Sequence, residues 1–149
     1  MDSTTIKIKE ILIRKQATAK PLSLTFTKVN QIVMGWINYF RIGKMKQFME
    51  EFGQWLRHKV RVVIVKQWRR PRTIYKNLSI INKLMKCGFS DEEIYMFANS
   101  RLGLYRKVAL HGYNYILSPT VLAMPNKKEG RPGLVDPLVY YLKQSSKLT

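Results

Sequence analysis

The stretch that decides the fold runs from Gly35 to Arg72: GWINYFRIGKMKQFMEEFGQWLRHKVRVVIVKQWRRPR. An aromatic-rich helix end leads to a turn at Gly43, and a long amphipathic pattern follows. Apolar residues at Met45, Phe48, Met49, Phe52, Trp55, Leu56, Val60, Val63, Ile64 and Trp68 stand mostly three or four apart. That is the spacing of a buried helical stripe. Arg57, His58, Arg61, Lys66, Arg69 and Arg70 occupy much of the remaining surface. One face is built to pack and the other to meet negative charge. Pro71 has no backbone N–H to donate and ends the helix.

Upstream, Ser23 or Thr25 opens a helix running to about Ile42, with Phe26, Val29, Ile32, Val33, Trp36, Ile37 and Phe40 at helical spacing. Gly35 in its middle costs about 0.5–1 kcal/mol relative to Ala. A compensating close approach of another helix or of a ligand backbone is therefore expected there. Earlier still, Ser3, Thr4 or Thr5 caps a first helix to about Gln16, and Pro21 disfavours helix at Lys20.

Downstream, Ile74, Leu78, Ile81, Leu84 and Met85 predict a fourth helix with Gly88 as its cap. Ser90 and Glu93 form a capping box that opens a fifth, with Asp91 and Glu92 suited to its positive end. After Asn99 to Gly103 come the short segment LYRKVAL and an aromatic, β-branched stretch that leads into a Pro- and Gly-rich loop with room for short strands. Val135 to Gln144 reads as a last helix that docks on the body. The expected fold is mainly α, with a bundle of about three helices over 1–70. A smaller helical extension and an irregular tail follow over 71–149, with the boundary at Pro71.

The 149 residues include 27 Lys and Arg against 9 acids, a formal net charge of +18. Such an excess is costly in self-repulsion unless an anion shares the surface, and nucleic acid is the natural partner. At 46% apolar and 11% aromatic residues the chain is not a disordered basic tail, since those are poor in both. From Arg41 to Lys86 there are 13 cations against two acids, and aromatic rings are interleaved with them. Phe48, Phe52 and Trp55 follow the core stripe. Tyr39, Trp68 and Tyr75 border the cations, where they could stack on bases or ribose.

Catalytic constellations are not visible in the pattern. Asp2, Asp91 and Asp136 are scattered, and the adjacent pairs Glu50-Glu51 and Glu92-Glu93 point to different sides of a helix. His58 sits among Arg57, Lys59 and Arg61, which disfavour its charged form, and His111 has no neighbouring acid or base. With two His and one Cys, Cys87, neither a structural zinc site nor an internal disulfide is expected. No phosphate-binding glycine loop occurs. No cofactor is expected, and the chain is not expected to be an enzyme by itself. The lone cysteine and the absence of an apolar leader point to a cytoplasmic protein. No apolar run approaches the roughly 20 residues needed to cross a membrane.

GWINYFRIG, the later W-L-R and K-Q-W-R-R-P-R, and NSRLGLYR occur in this order over nearly the whole chain. This series resembles the thumb and maturase region, or domain X, of group II intron reverse transcriptase-maturases, which shows G-W-x-N-Y-F, then K-Q-W-K/R-R-P, then S-R-x-G-Y/L-W/Y-R. Tyr105 stands where that family often has an indole. The resemblance implies a helical thumb over Leu24 to Arg70, with the Leu24 to Gly43 helix nearest a template and primer, followed by an RNA-binding extension. It also implies that Arg57, Arg61, Lys66, Arg69, Arg70, Arg72, Arg101 and Arg106 face intron RNA. The family's palm, with its aspartates and Mg²⁺, and its endonuclease module have no counterpart in these residues.

The RNA-binding residues expected are thus Tyr39, Arg41, Lys44, Arg57, Arg61, Lys66, Trp68, Arg69, Arg70, Arg72, Tyr75, Arg101, Tyr105 and Arg106. The function expected is binding and stabilising folded group II intron RNA so that it splices. Two alternatives stand beside it. The chain could be a thumb that works on an RNA/DNA template-primer only with a separate palm chain, or a non-specific basic nucleic-acid-binding remnant.

Overall fold

A computed structural model describes residues 7–10, 21–40, 45–126 and 131–146. Eight helices follow in order: α1 (Leu22–Phe40), α2 (Lys46–Trp68), α3 (Pro71–Leu84), α4 (Asp91–Ala98), α5 (Leu104–Lys107), α6 (His111–Ile116), α7 (Pro119–Ala123) and α8 (Pro137–Ser146). The fold is mainly α; among the described residues, β pairing is confined to a bridge between Asn126 and Arg131. Residues 7–10 are helical and Ile8 is fully buried. The rest of the expected first helix, and the turn at Gly43, lie outside the described residues.

The apolar stripes of α1 and α2 make the centre of the core. Phe26, Val29, Val33, Trp36 and Ile37 are buried with Met49, Phe52, Leu56, Val60, Val63 and Ile64. Trp36 joins the helices, edge-on to Phe48 at 5.6 Å and tilted on Phe52 at 5.2 Å. Burying each large side chain of this kind is worth about 1.5–3 kcal/mol. Trp55 is half-buried beside Phe52 at the edge of the same core.

The break between α2 and α3 is abrupt. Arg69 takes φ 63° and ψ −69°, and the Arg70 N–H donates to the Trp68 carbonyl at 2.8 Å. This closes a tight three-residue turn. Pro71 then occupies the first turn of α3, where a missing N–H costs nothing. The helix stops at Leu84, before the expected cap at Gly88. Asn82 explains the early stop: its amide donates to the Phe89 carbonyl at 3.0 Å and accepts the Phe89 N–H at 3.2 Å. The chain is thereby folded back, with Lys86 at φ 51°, and α4 opens on the expected Ser90–Glu93 capping box.

Beyond His111 the expectation of loop and short strands is corrected to the helices α6 and α7. Each is too short to show an apolar repeat. Gly112 lets α6 lie against α4, because a Cβ there would run into the Phe97 ring. Buried Tyr113 donates its hydroxyl to the Phe97 carbonyl at 2.8 Å.

The tail returns to the bundle. Buried Asn30 of α1 donates to the Gly133 carbonyl at 2.8 Å and accepts the Val135 N–H at 2.9 Å. The Tyr141 hydroxyl accepts the Met45 N–H at 3.0 Å, and α8 packs on both α1 and α2.

Candidate nucleic-acid interface

From Phe52 to Ser90 the chain holds no Asp or Glu. The end of α2, the Arg69 turn and α3 therefore carry their cations with no acid within the same stretch. Lys66, Arg69, Arg70, Arg72, Lys76, Lys83 and Lys86 are all exposed. None forms an ion pair among the described residues. At about 100° per residue, Arg72, Lys76 and Lys83 fall within roughly 40° of one another around α3 and span about 16 Å along it. Those three form a straight cationic stripe, and Lys66, Arg69 and Arg70 extend the charge at its N-terminal end. Lys76 and Lys83 join the sequence-expected cations here; their signal in the sequence is the four-residue step from Arg72 to Lys76 and the seven-residue step from Lys76 to Lys83.

Two expected RNA contacts are turned inward. Arg61 is 6% exposed, donates from Nε to the Leu117 carbonyl at 2.7 Å and from Nη1 to the Asn114 amide oxygen at 3.0 Å. Burial, and then repulsion from Arg57, lowers its pKa to about 10. Its planar fork ties α2 to the end of α6 and is not available to phosphate. Arg57 pairs with Asp136 at 3.5 Å, with the two side chains 14% and 26% exposed. It binds the tail to α2. Spacing alone did not reveal these roles, because the acceptors lie over fifty residues away.

Around α5 the surface is mixed. Tyr105 is 49% exposed, with His58 against its ring at 4.0 Å and the Lys59 Nζ 5.1 Å from its centroid. His58 is half-buried, and its pKa is lowered by burial, then by Arg61 and Lys59, against an opposing hydrogen bond with the Tyr105 backbone. Arg101 and Arg106 are exposed on either side of Tyr105 in sequence. Lys107, unremarked in the sequence, is buried and donates to the Ala98 carbonyl at 2.7 Å, capping α4. Burial lowers its pKa.

Of the remaining aromatic candidates, Tyr39 is 78% exposed on α1. Trp68 is half-buried, and Tyr75 is half-buried with its ring edge-on to Tyr95 at 6.3 Å. Arg41 and Lys44 lie outside the described residues. Among the described residues no other element comes within 4 Å of where a Cβ on Gly35 would stand, so no described helix makes the close approach expected there. Lys28, Gln31, Asn38 and Tyr39 share its exposed side of α1.

Among the described residues no group of three or more metal-ligating side chains converges, and no helix is long and apolar enough to cross a membrane. Comparison with known families adds one finding: the family model of the group II intron, maturase-specific domain matches residues 1–79. That match takes in α1, α2, the Arg69 turn and the first half of α3, including Arg72 and Lys76. No curated protein matches the chain.

Proposed function

We propose, from the premise that this chain belongs to the group II intron, maturase-specific domain family, that it binds folded intron RNA and stabilises the splicing-competent fold. The observation that carries this reading is the acid-free stretch from Lys66 to Lys86, whose seven exposed cations form no ion pair among the described residues. Guanidinium and ammonium groups on such a surface contact phosphates and release counterions. The side chains would act by binding the compact RNA more tightly than its open forms, which shifts the equilibrium by that difference in affinity. The splicing chemistry itself rests with the RNA in this reading.

The test is affinity across a potassium chloride series for a folded group II intron and for an unrelated structured RNA of equal length. Tighter binding to the intron that persists at high salt is the expected result. Equal affinities that fall together with salt would reduce the protein to a general polycation. The double variant Arg69→Ala with Arg70→Ala should make the salt slope shallower by roughly 1–2 units.

A second reading has its own observation. The uncovered backbone at Gly35, between Gln31 and Tyr39, favours close approach of a ligand backbone to α1. A thumb that holds a template-primer duplex would use that face. Primer extension by a separately supplied palm chain, dependent on this protein and lost in Gly35→Leu, would support it.

A further inference from the structure

We infer that the groove between α3 and the segment following α7 seats a single unpaired nucleotide of the bound RNA, an inference that rests on the RNA-binding reading above. The groove encloses about 500 Å³, walled by Trp68, Asn77, Ile80, Leu84 and Met124, with Arg131 on the far side. Leu84 is 75% exposed, Met124 48% and Ile80 47%. An apolar surface left open to this degree and rimmed by polar groups marks a binding site.

The lining has the two characters that a nucleobase has. Aliphatic and thioether side chains with one indole offer surface to its apolar faces. The Asn77 amide and the Trp68 indole N–H, which make no hydrogen bond among the described residues, can meet its polar edge. An amide both donates and accepts, as base edges require. Charge complementarity selects the same occupant. Ile80 is one turn from Lys76 and from Lys83 on α3, and Arg131, its guanidinium 5.0 Å from the Phe26 ring centroid, also lines the groove. The groove therefore opens beside the cationic stripe, where phosphates on either side of an extruded nucleotide would lie. A second copy of this chain would set +18 against +18, and among the described residues no acidic side chain lines the groove.

The experiment uses the full chain and two RNA hairpins of equal length, one fully paired and one carrying a single unpaired 2-aminopurine. The bulged hairpin should bind about tenfold tighter, in line with one base stacked on a protein surface, and its emission should change on binding. Asn77→Leu and, separately, Met124→Trp should each abolish the preference while leaving affinity for the paired hairpin intact, which also reports that the variants are folded. Equal binding of the two hairpins by the unmodified chain, or a preference that survives both substitutions, would overturn the inference. So would an acidic helical peptide of Leu and Glu that binds the chain in a Met124-dependent way with no bulge preference, since the groove would then belong to a protein partner. If the folded intron binds tightly while the hairpins are not distinguished, only this inference falls. If no RNA binds, the reading beneath it falls too.

Discussion

Arg61 shows how a single residue changes meaning between a sequence and a fold. On the helical pattern it is one of several cations along α2, yet its guanidinium is enclosed and hydrogen-bonded to Leu117 and Asn114. Truncating it strands the carbonyl of buried Leu117, at about 1–3 kcal/mol for a buried group left unsatisfied, whereas the amide of exposed Asn114 can turn to water. Arg61→Ala should therefore lower the urea midpoint while leaving the RNA salt slope of the folded protein unchanged; a shallower slope would show that it meets phosphate after all. His58, three residues earlier, sets a pH dependence. Burial and its cationic neighbours lower its folded pKa from the usual 6.5, so the unfolded chain takes up a proton first as pH falls. The stability associated with neutral His58 is present above pH 6.5 and is lost as pH drops from there through its lowered folded pKa. His58→Gln should flatten that part of the stability profile, measured by thermal unfolding at each pH, and an unaltered profile would assign the proton elsewhere.

At the scale of elements, α2 was legible because its apolar stripe recurs over six turns, and α4 because its capping box is a local signal. The C-terminal helices were not. In α6 and α7 a few residues bury one or two side chains each, and α6 is settled by the Gly112–Phe97 fit and by Arg61, neither of which is local. The Arg69 turn lies between these cases. WRRPR announces a break, but not that Arg69 holds a positive φ with ψ −69°. A side chain in that conformation costs about 1–3 kcal/mol, whereas glycine adopts positive φ readily. Arg69→Gly should raise stability by about 1 kcal/mol and at the same time weaken RNA binding, because it relieves the backbone and removes a cation. A loss of stability would mean that the Arg69 side chain, and not the turn, holds α2 to α3. The candidate site was legible in the same partial way: its exposed Arg69, Arg70 and Arg72 stood out as a run, while Lys76 and Lys83 join them only once α3 sets their azimuth.

For the whole molecule the charge of +18 acts on folding as well as on binding, and the two respond to salt in opposite directions. In the free protein the seven exposed cations between Lys66 and Lys86 repel one another across distances comparable with the Debye length, about 10 Å at 0.1 M and 30 Å at 0.01 M. Raising potassium chloride over that range should screen the repulsion and raise the melting temperature. When RNA is bound, its phosphates already provide the neutralisation, and at a free concentration of 100 Kd binding adds about 2.7 kcal/mol to stability. Salt weakens that binding through counterion competition, so the melting temperature of the complex should fall toward that of the free protein as salt increases. Thermal unfolding with and without folded intron RNA, across one salt series, measures both trends. Convergence of the two curves is the expected outcome. A free protein whose melting temperature does not rise with salt would show that its cations are too far apart, or too well solvated, to form one field, and the argument for a concerted phosphate-binding face would lose its electrostatic basis.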